Sequence, residues 1–154
     1  CSVADIPVPD DPAGAEPTLT VLDVGWDLGQ VLASPGWIEQ QVTTAEHLVL
    51  VTTGTVPGLR RLAVAATLLR PQRCLAVIVG AGRRWRPPTT ATAPTIRALA
   101  DSGHLIRAPI EKALARDGIT AEPLPSALLR AAAGILRRSG ITPADAPSQK
   151  GPTR

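Results

Sequence analysis

Residues 47–80 read HLVLVTTGTVPGLRRLAVAATLLRPQRCLAVIVG, and their order decides the fold. Leu48 to Thr53 is an unbroken run of apolar and β-branched residues, the pattern of a strand covered on both faces. Gly54-Thr55-Val56-Pro57 makes a turn, and Pro57 suits the first turn of a helix over 58–69. Leu59, Leu62, Ala63, Ala66 and Leu69 recur along that helix at helical spacing. Pro71 stops it, and a second apolar run from Cys74 to Val79 ends in Gly80-Ala81-Gly82. Strand, helix and strand at this spacing predict a βαβ unit with two parallel strands and a right-handed crossover.

The pattern extends in both directions. Upstream, TVLDVGWDLG at 20–29 predicts a short strand over 19–23 that delivers Asp23 to its exit and stops at Gly25. Ser34-Pro35-Gly36 reads as a turn, followed by a helix over 37–44 whose Trp37, Ile38 and Val42 can face a core. Downstream, RRWRPPTTATAP at 83–94 reads as a loop leading into a helix that runs from Pro94 to about Asp101 and is capped by Gly103. A fourth strand over 104–107 closes at Ala108-Pro109, a short helix over 110–116 ends at Gly118, and a last helix over 126–138 ends at Gly140. The expected architecture is a three-layer α/β fold, a mostly parallel sheet with helices on both faces. Residues 1–17 hold four prolines and four acids and are expected to be an extended segment. Residues 18–140 then form the α/β domain, and 141–154 a flexible tail.

Composition bounds the rest. The 154 residues are 44% hydrophobic with no Phe, no Tyr and three Trp, so the core must be aliphatic, as suits a helix-covered parallel sheet. Cys1 and Cys74 are too few for a disulfide framework, which fits a reducing cytoplasm. No stretch approaches about 20 consecutive apolar residues, so no membrane span is expected. The chain lacks Met even at position 1, and the expectation is a piece of something longer.

The net charge of +3 conceals a division. Residues 1–59 carry eight acids and no Lys or Arg, while 60–154 carry all sixteen basic residues and five acids, −8 against +11. Two halves that neutralise each other would account for it; so would a basic half that faces a nucleotide, a nucleic acid or an acidic protein.

The predicted strand exits collect the candidate functional residues. Asp23 can reach a metal or a water if Asp27 caps the following helix, and it also suits a plain turn. Thr52 and Thr53 can bond a phosphate or a water, though β-branched residues at a strand end need no ligand. Trp85, among Arg83, Arg84 and Arg86, can stack on a base or meet an acidic partner; it can equally pin a solvated basic loop. His47 and His104 stand apart from any Cys or Asp cluster at ligand spacing, and no Ser-His-Asp arrangement appears.

The order strand-Asp-x-Gly, helix, strand-Thr-Thr, Pro-initiated helix, strand-Gly, helix, strand-x-Pro-x-Glu, helix resembles the C-terminal half of the ParA/MinD group of deviant-Walker P-loop ATPases. That group includes the CpaE/TadZ-type pilus-assembly members, and the resemblance covers roughly residues 18–138. It implies a P-loop NTPase-like fold with Asp23 as the Walker B acid, acting through water on a magnesium ion. It further implies Thr52, Thr53, Gly80, Gly82, Pro109 and Glu111 beside the nucleotide, the last two bordering adenine. A protein of this kind would bind ATP and Mg2+, dimerise, and position cargo such as a plasmid, chromosome, secretion or pilus apparatus.

The glycine-lysine phosphate loop of the group is absent from these residues, and Lys112 and Lys150, the two lysines, sit in no glycine loop. Gly80 stands where the group often has Asn, and DVGWDLG replaces its usual switch sequence. The expectation for this chain alone is little or no ATP hydrolysis. The alternative is a non-catalytic interaction module whose basic half binds DNA or an acidic protein.

Overall fold

The structure, a computed structural model, describes residues 3–9, 19–69, 74–81, 85–86 and 93–141. Contacts divide the chain into two compact units, residues 1–46 and 47–154.

In the first unit Val3–Asp5 winds one 3-10 turn where the sequence predicts only extended chain, and two short helices follow, α1 (Leu28–Ala33) and α2 (Trp37–Thr44). Asp27 caps α1: its backbone is extended and its carboxylate accepts a hydrogen bond from the Gly29 N–H at 2.9 Å. Val3, Val31, Ile38 and Val42 are buried. The Trp37 Nε1–H donates to the Ile6 carbonyl at 2.8 Å, fastening α2 to the N-terminal segment. The predicted strand over 19–23 does not form. A strand needs a neighbour for its backbone groups, and no described residue of this unit supplies one. Leu19, Val21 and Leu22 are accordingly 49, 82 and 44% exposed.

The second unit is α/β. Its elements are β1 (Leu48–Thr53), α3 (Val56–Leu69), β2 (Cys74–Val79), α4 (Pro94–Asp101), β3 (Leu105–Ala108), α5 (Lys112–Asp117) and α6 (Ser126–Arg138). The three strands form a wholly parallel sheet in the order β1-β2-β3. Helix α3 starts two residues earlier than expected, with Pro57 as its second residue, where the missing N–H costs nothing. Expected and observed bounds agree for α4 and α6, while β3 and α5 lie one to two residues later than predicted.

Strand alternation sorts the core into two sides. Cys74, Ala76 and Ile78 of β2 join Leu59, Leu62 and Ala66 of α3 and Ile96 and Leu99 of α4, with Leu48, Leu50 and Leu105 packed against them. On the other side Val77 of β2, Ile106 and Ala108 of β3 and Ala131 of α6 form a smaller cluster. Strand β2 is covered on both faces, but β1 is not: alternate residues are half-buried and exposed. Val49 and Val51 are 37 and 67% exposed. Their side of the sheet carries α6 over β3 and β2, and among the described residues β1 pairs only with β2.

Candidate functional site

Parallel pairing aligns the exits of the three strands. Thr53 is in register with Val79, and Val79 with Ala108. The ladder continues one step past the strands, with Gly54 N–H on the Val79 carbonyl at 3.0 Å and Gly80 N–H on the Ala108 carbonyl at 2.9 Å. Thr52, Thr53, Gly80, Pro109 and Glu111 therefore share one edge of the second unit.

The β1 exit is built around threonines. The Thr55 hydroxyl oxygen accepts from the Gly58 N–H at 3.3 Å, and the Thr55 carbonyl accepts from the Leu59 N–H at 2.9 Å, so Thr55 caps α3. The Thr53 and Thr55 hydroxyls share a further hydrogen bond at 3.0 Å. Gly58 lets the helix start this close to the strand. A Cβ there would sit 2.5 Å from the Thr53 carbonyl oxygen and 2.9 Å from the Thr52 hydroxyl. Sequence reasoning named Thr52 and Thr53 and missed Thr55 and Gly58. The signal was present as a threonine followed by Val-Pro-Gly, a cap with proline in the first turn.

Trp85 closes this corner. Its Nε1–H donates to the Gly54 carbonyl at 3.1 Å, and a Cβ on Gly54 would fall 2.8 Å from that nitrogen. The ring packs against the α3/α4 side of the core, with the Arg107 guanidinium 5.6 Å from its centroid. Arg107 was not singled out from the sequence, because cation–ring pairing across 22 positions of chain leaves no local pattern. Arg86, beside Trp85, is exposed. Gly82, Arg83 and Arg84 lie outside the described residues, as does the stretch 142–154.

Gly80 has φ +84°, a conformation glycine adopts readily. A Cβ there would meet the Ile110 side chain at 3.1 Å, so the β2 exit lies against the 109–111 segment. Glu111 stands at the start of α5 and its side chain makes no capping bond. Asp23 belongs to the first unit and is not on a strand of this sheet.

The described residues hold no group of three or more His, Cys, Asp and Glu side chains placed to share a metal ion. Burial pushes the Cys74 thiol above its ordinary range, which keeps it protonated and weakly nucleophilic at neutral pH. On the surface, Arg116 donates to both carboxylate oxygens of Asp117 at 2.8 Å, and that hydrogen bonding lowers the Asp117 pKa. What the strand exits offer is a short floor of threonine hydroxyls with a tryptophan at its side and Arg86 and Arg107 nearby, the Gly54, Gly58 and Gly80 amides being already bonded. No family model matches the chain, and neither a curated protein nor a solved structure does.

Proposed function

We propose that the chain is a non-catalytic binding module whose second unit takes an anionic macromolecule. The observation that carries this reading is the distribution of charge against the division of the chain. Residues 1–46 hold eight acids and no Lys or Arg, and 47–154 hold sixteen basic residues against five acids, −8 and +11. The change of sign falls between the two compact units. Arg60, Arg61, Arg97, Arg107, Arg130 and Arg137 are all exposed, and an excess of exposed cations raises the local concentration of an anionic partner.

Titration of the full chain with polyglutamate and with duplex DNA across a range of NaCl tests it. Binding to at least one of them should weaken steeply between low and moderate salt, as counterion release requires. Absence of salt-dependent binding to both overturns the reading.

A second reading rests on the aligned exits of the parallel sheet, where Thr52 and Thr53 meet the start of α3 and Gly80 lies against the 109–111 segment. It places the chain beside the ParA/MinD-like ATPases that position cellular cargo in the cytoplasm and act as dimers. The residues present do not fit a complete site for ATP and Mg2+. No glycine-lysine phosphate loop occurs in the 154 residues, and the Thr53 hydroxyl is bonded to Thr55. This reading therefore predicts no ATP turnover by the chain alone. A measured turnover abolished by Asp23→Ala would show that the site is complete and catalytic.

A further inference from the structure

Helices α3 and α4 leave a shallow apolar groove of about 330 Å³ between them, lined by Ala63, Val64, Thr67, Leu68, Ala93 and Thr95. Val64 and Leu68 lie one helical turn apart and are 62 and 56% exposed. The Thr67 hydroxyl donates to the Ala63 carbonyl at 2.8 Å, which satisfies its polar group within α3. Exposed cations lie on the same two helices. Arg60 and Arg61 precede Val64 by four and three residues on the same helix face, and Arg97 follows Ala93 by four. Among the described residues these three guanidinium groups have no ion-pair or hydrogen-bond partner.

We infer that this groove binds an amphipathic helix of a protein partner, with an apolar stripe seated between α3 and α4 and carboxylates facing Arg60, Arg61 and Arg97. The inference rests on the reading of the second unit as a module for anionic macromolecules, and it chooses among them. An aliphatic stripe flanked by cations complements a helix that is apolar on one side and acidic at its margins. Duplex DNA presents phosphates that suit the arginines but little surface that suits Val64 and Leu68. The stripe from Arg60 to Leu68 spans about 12 Å of α3 at the helical rise, the length of roughly two turns of a partner helix.

Fluorescence anisotropy of a labelled peptide tests the assignment. The probe is about fifteen residues long, with leucines at helical spacing and glutamates on the flanks. Its control is a scrambled peptide of the same composition, and duplex DNA serves as a third probe. The full chain should bind the amphipathic peptide at least about tenfold more tightly than the scrambled one. Val64→Asp or Leu68→Asp should abolish that preference with an unchanged circular dichroism spectrum, since both side chains are more than half exposed. The double variant Arg60→Gln with Arg61→Gln replaces two exposed side chains. It should weaken peptide binding about tenfold and flatten its salt dependence, and it carries the test if an aspartate variant unfolds.

Equal binding of the two peptides, or full affinity in Val64→Asp, overturns the groove assignment. If DNA or the scrambled peptide still binds in a salt-dependent way, the broader reading survives that failure. If none of the three probes binds, the broader reading fails as well.

Discussion

Strands β1 and β2 are each six residues long, lie side by side and pair residue for residue from Leu48 with Cys74 to Thr53 with Val79, yet their surroundings differ. In β2 five consecutive residues, Cys74 to Ile78, are buried. In β1 burial alternates, and Val49 and Val51 are exposed on the side where α6 covers the other two strands. On that side both strands are apolar, Val49 and Val51 standing opposite Leu75 and Val77, so residue type does not distinguish them there. Position in the sheet does. A parallel strand gains cover on both faces only where helices lie above and below it, and among the described residues β1 is at an edge.

The sharpest way to break this comparison is to remove the same kind of atoms from the centre of the sheet. Ile78 is fully buried between β2 and the α3/α4 helices, so Ile78→Ala should cost about 2–5 kcal/mol in urea unfolding, the range for a buried aliphatic truncated in a close-packed core. A loss under about 1 kcal/mol would mean that the centre of the sheet is no better packed than its edge.

A smaller loss is expected where β1 hands over to α3. Gly→Ala within an exposed helix gains up to about 1 kcal/mol on propensity alone. At Gly58 the new methyl would sit 2.5 Å from the Thr53 carbonyl oxygen, a backbone atom that can move only with the strand. Gly58→Ala should therefore destabilise by about 1–3 kcal/mol, the cost typical of overpacking. A stabilising result would show that the Thr53–Gly58 approach is looser in solution.

The parts of the fold legible in the sequence are those fixed by neighbours along the chain. Pro94 at the start of α4, Ser126 at the start of α6, and Gly118 and Gly140 in left-handed conformations after α5 and α6 are local signals; α4 and α6 appeared where the sequence placed them, and α5 one to two residues later. Asp27 as a cap, and Ile38 and Val42 facing inward, were legible for the same reason, whereas Trp37 is only half-buried. The strand over 19–23 was not, because Leu-Thr-Val-Leu-Asp has strand propensity whether or not a partner exists, and pairing is a long-range property. The exit edge was half legible. Thr52, Thr53 and Gly80 could be placed there from strand ends alone. The Trp85–Gly54 hydrogen bond and the Arg107–Trp85 pair join residues far apart in sequence, and nothing near Trp85 announces that its indole N–H is bonded to a β1 carbonyl.

The smallest effect isolates burial from residue type. Val→Thr keeps shape and replaces a methyl with a hydroxyl, so its cost measures how dry the site is. Val77 is buried beneath α6, and Val77→Thr should cost about 1–3 kcal/mol for a hydroxyl placed where water cannot reach it. Val51 is 67% exposed one strand away, and Val51→Thr should stay within about 0.5 kcal/mol of the parent, since a solvated hydroxyl loses nothing and threonine suits a strand. The pair must be measured at several protein concentrations. If Val51→Thr becomes costly only as concentration rises, a second copy covers the β1 face, because association stabilises by mass action. If it costs as much as Val77→Thr at every concentration, the β1 face is already covered within one chain, and the contrast between edge and centre disappears.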